Sequence, residues 1–298
     1  MQQLIGLTMI TDPDARQDPW RESIAQALEI FDRVVVVCGA DTDAIRVINQ
    51  FPGRDIACPL LHWPQPEWSY EELPRHLNAG LAVARCYEPD WIVKFDIDCF
   101  FHEKDRDHIR TKLQELTSRR VALGTFEKYQ FFMVDRAYEK GKIPLAINCA
   151  FPIQYGQFEN DYSDLCQPMM PTGRTRKMPG GTYDIPLGRK IPGAASTGVH
   201  VWNYDYSFKT LERATELLYH FDRSHAKWWG GGYGGKKIED ITPETALAEY
   251  LDLVRGRVGK CNKRFKPEDH PRHIRERVRN ITPTEFGSRL WDKIPITL

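Results

Sequence analysis

Residues 90–101 read Asp90-Trp91-Ile92-Val93-Lys94-Phe95-Asp96-Ile97-Asp98-Cys99-Phe100-Phe101. This is an apolar, β-branched run that predicts a buried strand carrying two aspartates one residue apart. Side chains alternate along a strand, so Asp96 and Asp98 are expected on one face and Ile97 on the other. Two like charges set among Ile92, Val93, Phe95, Phe100 and Phe101 are expensive to desolvate unless a cation neutralises them. A divalent metal does this. Oxygen ligands select Mg²⁺ or Mn²⁺, which keep positions open for water and substrate phosphates. The competing reading has one aspartate capping the next helix and the other paired with Lys94 or an arginine.

Upstream, the chain repeats a strand-then-helix pattern three times. QLIGLTMI at 3–10 is a short apolar run stopped by Thr11-Asp12-Pro13, and 20–31 follows with Ile24, Ala27, Leu28 and Phe31 at helical spacing. VVVVC at 34–38 lacks alternation, as a parallel strand covered on both faces does, and the helix DAIRVINQF follows with Thr42 or Asp43 as its cap. A third apolar patch at 56–61 leads through HWPQPEWS to a long helix over about 70–86. Three such repeats entering a fourth strand describe an α/β fold with a doubly wound, mostly parallel sheet. In open sheets of this kind ligands bind beyond the carboxyl ends of the strands. That rule gathers Thr8, Thr11, Asp41, Asp43, Asp96 and Asp98 around one crevice suited to a nucleotide.

Beyond a helix at 105–118 and a strand at 120–126 the pattern loosens. The stretch 140–195 carries seven prolines and many glycines and reads mostly as loop. A strand is expected at 198–204, a helix at 207–221, a mobile Gly-rich loop at 228–235, and a helix at 243–256 with Thr242 and Pro243 at its start. No internal repeat or domain boundary is visible, so 1–298 is read as one domain. Its nucleotide-binding half is 1–125 and its loop-rich acceptor-side half is 126–298.

Forty-one Lys and Arg balance 41 Asp and Glu, which excludes a bulk polyanion binder, although 1–100 holds 8 basic and 16 acidic residues. Seven widely spaced cysteines without a C-x-x-C pair read as reduced thiols. No signal-peptide pattern or run of about 20 apolar residues is present, so a soluble cytoplasmic protein is expected. P-loop and G-x-G-x-x-G fingerprints are absent from the sequence, which argues against kinases and dehydrogenases.

The first strand, Gly39-Ala40-Asp41-Thr42-Asp43, Leu77-Asn78-Ala79-Gly80-Leu81-Ala82 and Trp91-Ile92-Val93-Lys94-Phe95-Asp96-Ile97-Asp98 together resemble GT-A fold, D-x-D type, nucleotide-sugar-dependent glycosyltransferases over about residues 3–125. The resemblance implies a UDP-sugar donor. By this resemblance Asp98 is expected to be the firmer metal ligand and Asp96 the carboxylate on the nucleotide and metal side. Asp41 matches an acidic residue that contacts base or ribose, and Asn78 with Gly80 matches a recurrent N-x-G pattern. Further on, 197–202 resembles the strand lining the acceptor side. Trp228-Trp229-Gly230-Gly231-Gly232 with Glu239-Asp240 is similar to a W-G-G-E-D segment, although residues 233–238 are interposed here. By this resemblance Asp240 is the acceptor base, with Glu239 second, and Trp228 and Trp229 offer faces for a sugar ring. The resemblance further implies a third metal ligand from a C-terminal histidine, for which His270 and His273 are the candidates ahead of His200 and His225.

Residues 251–298 hold 12 basic against 6 acidic residues. A nucleic-acid acceptor is therefore one alternative, as in a viral or phage-type DNA-modifying member working in a host cytoplasm, where a base would be flipped out to react. Protein, glycan and small-molecule acceptors are the others. Two rival functions are a non-catalytic nucleotide-sugar or nucleic-acid binding module and a sugar-phosphate nucleotidyltransferase. The second expects a Gly-rich loop after the first strand, where this chain has Thr11-Asp12-Pro13-Asp14-Ala15-Arg16.

Overall fold

The computed structural model describes residues 2–63, 72–156, 167–169, 175–178, 181–184, 194–229, 235–261 and 263–288. The strands are β1 (Leu4–Ile10), β2 (Arg33–Cys38), β3 (Ile56–Ala57), β4 (Trp91–Lys94), β5 (Cys99–Phe101), β6 (Leu123–Met133) and β7 (Arg136–Asn148). They continue with β8 (Gln154–Gly156), β9 (Gln167–Met169), β10 (Thr175–Met178), β11 (Gly181–Asp184), β12 (Ala194–Asn203) and β13 (Lys263–Arg264). The helices are α1 (Trp20–Ile30), α2 (Asp41–Gln50), α3 (Glu72–Arg85), α4 (Arg106–Ser118), α5 (Leu211–Trp229), α6 (Pro243–Val258) and α7 (Arg272–Arg279).

The main sheet runs β3-β2-β1-β4-β7-β6-β12-β5, with β13 added to the start of β7. β1 to β4 pair in parallel, β7 is antiparallel to both β4 and β6, and β12 returns parallel to β6. The result is a mixed α/β fold whose first half is the parallel, doubly covered sheet that unalternating VVVVC predicts. Val34, Val36 and Cys38 face α1 and α2, while Val35 and Val37 face α3. α3 lies unusually close. A Cβ on Gly80 would stand 2.5 Å from Val37 and 2.7 Å from Leu7, so glycine is required there by packing.

Four expectations need correction. The expected fourth strand stops at Lys94 and resumes at Cys99, so Asp96 and Asp98 sit in a turn closed by the Cys99 amide donating to the Asp96 carbonyl at 2.8 Å. The chain turns because β4 follows β1 while β5 pairs with β12, on the far side of β6 and β7. Part of the expected proline-rich loop is instead β7, the longest strand. Its Pro144 stands opposite Thr125 beside an irregularity of the ladder, where a missing amide is tolerated. α5 runs on to Trp229, so the tryptophan pair ends a helix rather than opening a loop, and 230–234 fall outside the described residues. α2 has Ala40 at its N-cap because Asp43 is engaged elsewhere. The start of α6 does follow expectation, with Pro243 in the first turn and the Thr242 and Thr245 side chains each accepting from the other's amide.

Candidate active site

The carboxyl ends of β1, β4 and β12 border a cleft of about 340 Å³. Asp96 and Asp98 line it, and ligand atoms of Asp96, Asp98 and the buried Cys99 lie within 4.8 Å of one another. The two carboxylates thus converge as the sequence predicts, but through the turn. Protein crowded around Asp96 pushes its carboxyl upward, yet the Lys94 ammonium 2.6 Å away, with Lys128, holds it below the ordinary range. Asp98 goes the other way, raised by desolvation and by the negative charge of Asp96. Asn203, at the end of β12, donates from Nδ2 to Asp98 Oδ1 at 3.0 Å, which fixes that side chain. Its own Oδ1 is buried with no hydrogen-bond partner among the described residues.

Asp205 closes the same cleft two residues past β12. Desolvation, then the charge of Asp98, push its carboxyl up to about 7. Its backbone sits at φ 24°, in the left-handed region that most side chains avoid, as does that of Asp12, just past β1, at φ 39°. Beneath them Asp18 is paired with Lys209, both side chains 4% exposed, and with Arg16 at 2.9 Å. Burial works against the Asp18 carboxylate, but Lys209 and Arg16 outweigh it and hold its pKa down. Lys128 reaches the cleft from β6, and Trp63 supplies an aromatic wall tilted against His76 at 4.3 Å between ring centroids.

Arg16, Asp18, Trp63, Lys128, Asn203, Asp205 and Lys209 were not singled out by the sequence reading. For Asn203 and Asp205 a signal existed, because they end the expected strand 198–204, and the strand-end rule applied to the first half reaches them.

The remaining expected residues scatter. Thr11 lines the cleft. Thr8 is fully buried in β1, with its hydroxyl unpartnered among the described residues. Asp41 is exposed, 3.4 Å from His62. Asp43 is buried and accepts from the Asp12 amide at 3.0 Å and from Arg46, so it anchors the loop after β1. Glu239 and Asp240 are exposed on a 3-10 turn (Ile238–Asp240) and are not among the residues lining the cleft. The Trp228 and Trp229 side chains fall outside the described residues.

His270 is fully buried, its Nδ1 2.6 Å from the Tyr204 hydroxyl and its ring against Phe131 and Trp202. Burial drives its pKa down to about 4. It is a packing residue of the aromatic core, and that burial removes it as a metal ligand at the cleft. His273, on α7, is 2.9 Å from Glu29 of α1, so it too is engaged away from Asp98. Asn78 and the Tyr155 backbone exchange two hydrogen bonds, at 2.9 and 2.7 Å, which fasten β8 to α3.

No protein-family model matches the chain, and no curated protein matches its sequence. Among solved structures, similar ones include a protein from Desulfovibrio desulfuricans described as a nucleotide-diphospho-sugar transferase, 8% identical with a TM-score of 0.30. The alignment covers 50% of this chain and 64% of that one, so the chain spans under two thirds of that protein's length. TarS 1–349 of S. aureus is 10% identical over 86% of this chain and 72% of its own, with a TM-score of 0.31. Rv0371c of Mycobacterium tuberculosis, in complex with manganese, is 12% identical over 50% and 72%, with a TM-score of 0.30. Likenesses this distant decide nothing about chemistry, which has to be read from the cleft. Among the described residues no helix is long and apolar enough to cross a membrane.

Proposed function

We propose that the chain is a metal-dependent glycosyltransferase that moves a sugar from a nucleotide-sugar donor, UDP-linked by the resemblance of its first half, to an acceptor hydroxyl. The observation carrying this reading is the convergence of Asp96 and Asp98 in a cleft at the carboxyl ends of parallel strands. Asp98, raised by desolvation and then by the charge of Asp96, and the orphaned Oδ1 of Asn203 are oxygen donors that a cation would satisfy. They fit Mn²⁺ or Mg²⁺, with Asp96 and Asp98 as the anionic ligands. When bound, such an ion supplies Lewis-acid stabilisation of the leaving diphosphate.

The chain's own residues account for the rest. Lys128 places a positive charge beside the carboxylates, where a phosphate also carries its charge. Trp63 offers an apolar wall and Thr11 a hydroxyl. For the acceptor proton, Asp205 is a better candidate than Asp240. It lines the cleft, and a carboxyl held near pH 7 is matched to general-base work at that pH. Asp240 and Glu239, the bases implied by the resemblance to a W-G-G-E-D segment, stay as the alternatives.

A panel of nucleotide sugars, each with and without Mn²⁺, tests this by thermal shift and by donor hydrolysis in the wild type and in Asp98→Asn. One nucleotide sugar should raise the melting temperature and be slowly hydrolysed only with metal, and both effects should vanish in the variant. Full metal-dependent turnover by Asp98→Asn would falsify the ligand assignment. Binding without turnover by the wild type, whatever acceptor is added, would favour the binding-module reading.

A further inference from the structure

A second cluster of metal-ligating side chains lies on the opposite face of the sheet from the cleft-facing Lys128. His200 on β12 pairs directly with Glu127 on β6, and Glu139 on β7 pairs with Tyr129 on β6. Three adjacent strands therefore deliver one imidazole and two carboxylates to the same spot. His200 Nε2 is 2.9 Å from Glu139 Oε1 and 3.4 Å from Glu127 Oε2, and ligand atoms of all three lie within 4.8 Å of one another.

The imidazole is held in place by its neighbour. Tyr129 stacks on it at 4.0 Å between ring centroids and 13° between planes, so Nε2 is aimed by packing. The side chains are 23 to 38% exposed, open enough for an ion and its remaining waters to enter. The local charge is negative enough to be felt by Tyr129, whose hydroxyl pKa is raised by desolvation and then by Glu139 and Glu127.

We propose that Glu127, Glu139 and His200 bind a divalent transition-metal ion of the Zn²⁺ type, at a site separate from the cleft and independent of the function proposed for it. One nitrogen and two carboxylate oxygens are a donor set such ions accept, with water completing the shell. The two carboxylates neutralise the ion's charge. The rival arrangement, which needs no metal, is the direct contact of His200 with the two glutamates.

The test is Zn²⁺ titration by calorimetry of the full chain carrying Asp98→Asn, which weakens the cleft, with Co²⁺ absorption spectra as a second readout. One Zn²⁺ should still bind per chain, and Co²⁺ should give visible bands. Adding Glu127→Gln or His200→Ala should weaken binding by about tenfold or more and remove the bands. Circular dichroism identifies a variant that fails to fold, and Glu139→Gln then replaces it. No saturable Zn²⁺ binding by the Asp98→Asn chain overturns the proposal, and so does equal binding with and without the second substitution. Neither result bears on the nucleotide-sugar panel, which reads the other face of the sheet.

Discussion

An aspartate whose carboxyl is pushed up to about 7 weakens the fold once it ionises there. The folded pKa of Asp205 lies above its ordinary 3.8, so the native state binds the proton more tightly than the unfolded chain does. Its contribution to stability therefore falls as pH rises from about 4 to about 7 and stays low above that. Asp205→Asn should then gain about 1–2 kcal/mol at pH 8, seen as a few degrees in melting temperature with EDTA present, and almost nothing at pH 4. The same substitution should lower kcat for sugar transfer by at least about a hundredfold while donor affinity holds. An equal thermal shift at both pH values would mean that Asp205 does not titrate in this range. The residues that the sequence made legible were those carrying a pattern, such as the paired aspartates after an apolar run. Asp205 is a single acid among aromatic residues, and only the charges that folding places around it make it distinctive. His270 misled for the complementary reason, since nothing local distinguishes a ligand from a histidine packed under Trp202 and Phe131.

Periodicity located the elements of the first half closely, because each helix there covers the sheet with a regular apolar stripe. The second half resisted, since its central strand contains a proline and owes its existence to β4 and β6 on either side. The two acids of 96–98 behave similarly. Alternation put them on one face of a strand, whereas a turn brings them together, and it forms because the next three residues pair with β12. Gly80 gives a test of how tightly the helical layer is set. Gly80→Ala places a methyl against Val37 and Leu7, and its expected cost is about 1–3 kcal/mol despite the better helix propensity of alanine. Urea denaturation measures this directly. A gain in stability would show that α3 can lift from β1 and β2 without penalty.

The two halves of the chain are joined by more than the sheet. Asp18, in the loop after β1, and Lys209, just before α5, form an ion pair in which both side chains are 4% exposed. Nearby, Gln17 accepts from the Thr210 amide at 2.8 Å. Asp18→Asn would strand a buried ammonium and should cost about 3–5 kcal/mol in a chemical denaturation experiment. The folded pKa of Asp18 lies below 3.8, so its stabilisation is complete above about pH 4 and is lost as pH falls through the folded value. The variant's stability should accordingly change less than the wild type's on acidification below pH 4. The same joins predict that a fragment of residues 1–125 fails to fold, because β4 would lack β7 and β5 would lack β12. A cooperative melt of that fragment would show otherwise.

The pairing of β5 with β12 has a consequence during synthesis. The Asp98 carbonyl accepts from the Tyr204 amide, and Cys99, Phe100 and Phe101 find their partners at 201–203. At typical translation rates those three residues leave the ribosome roughly 5–20 s before their partners do. Throughout that interval an apolar strand edge is uncovered beside the two aspartates on which the proposed chemistry depends, so residues 99–101 are open to a chaperone or to a wrong strand partner.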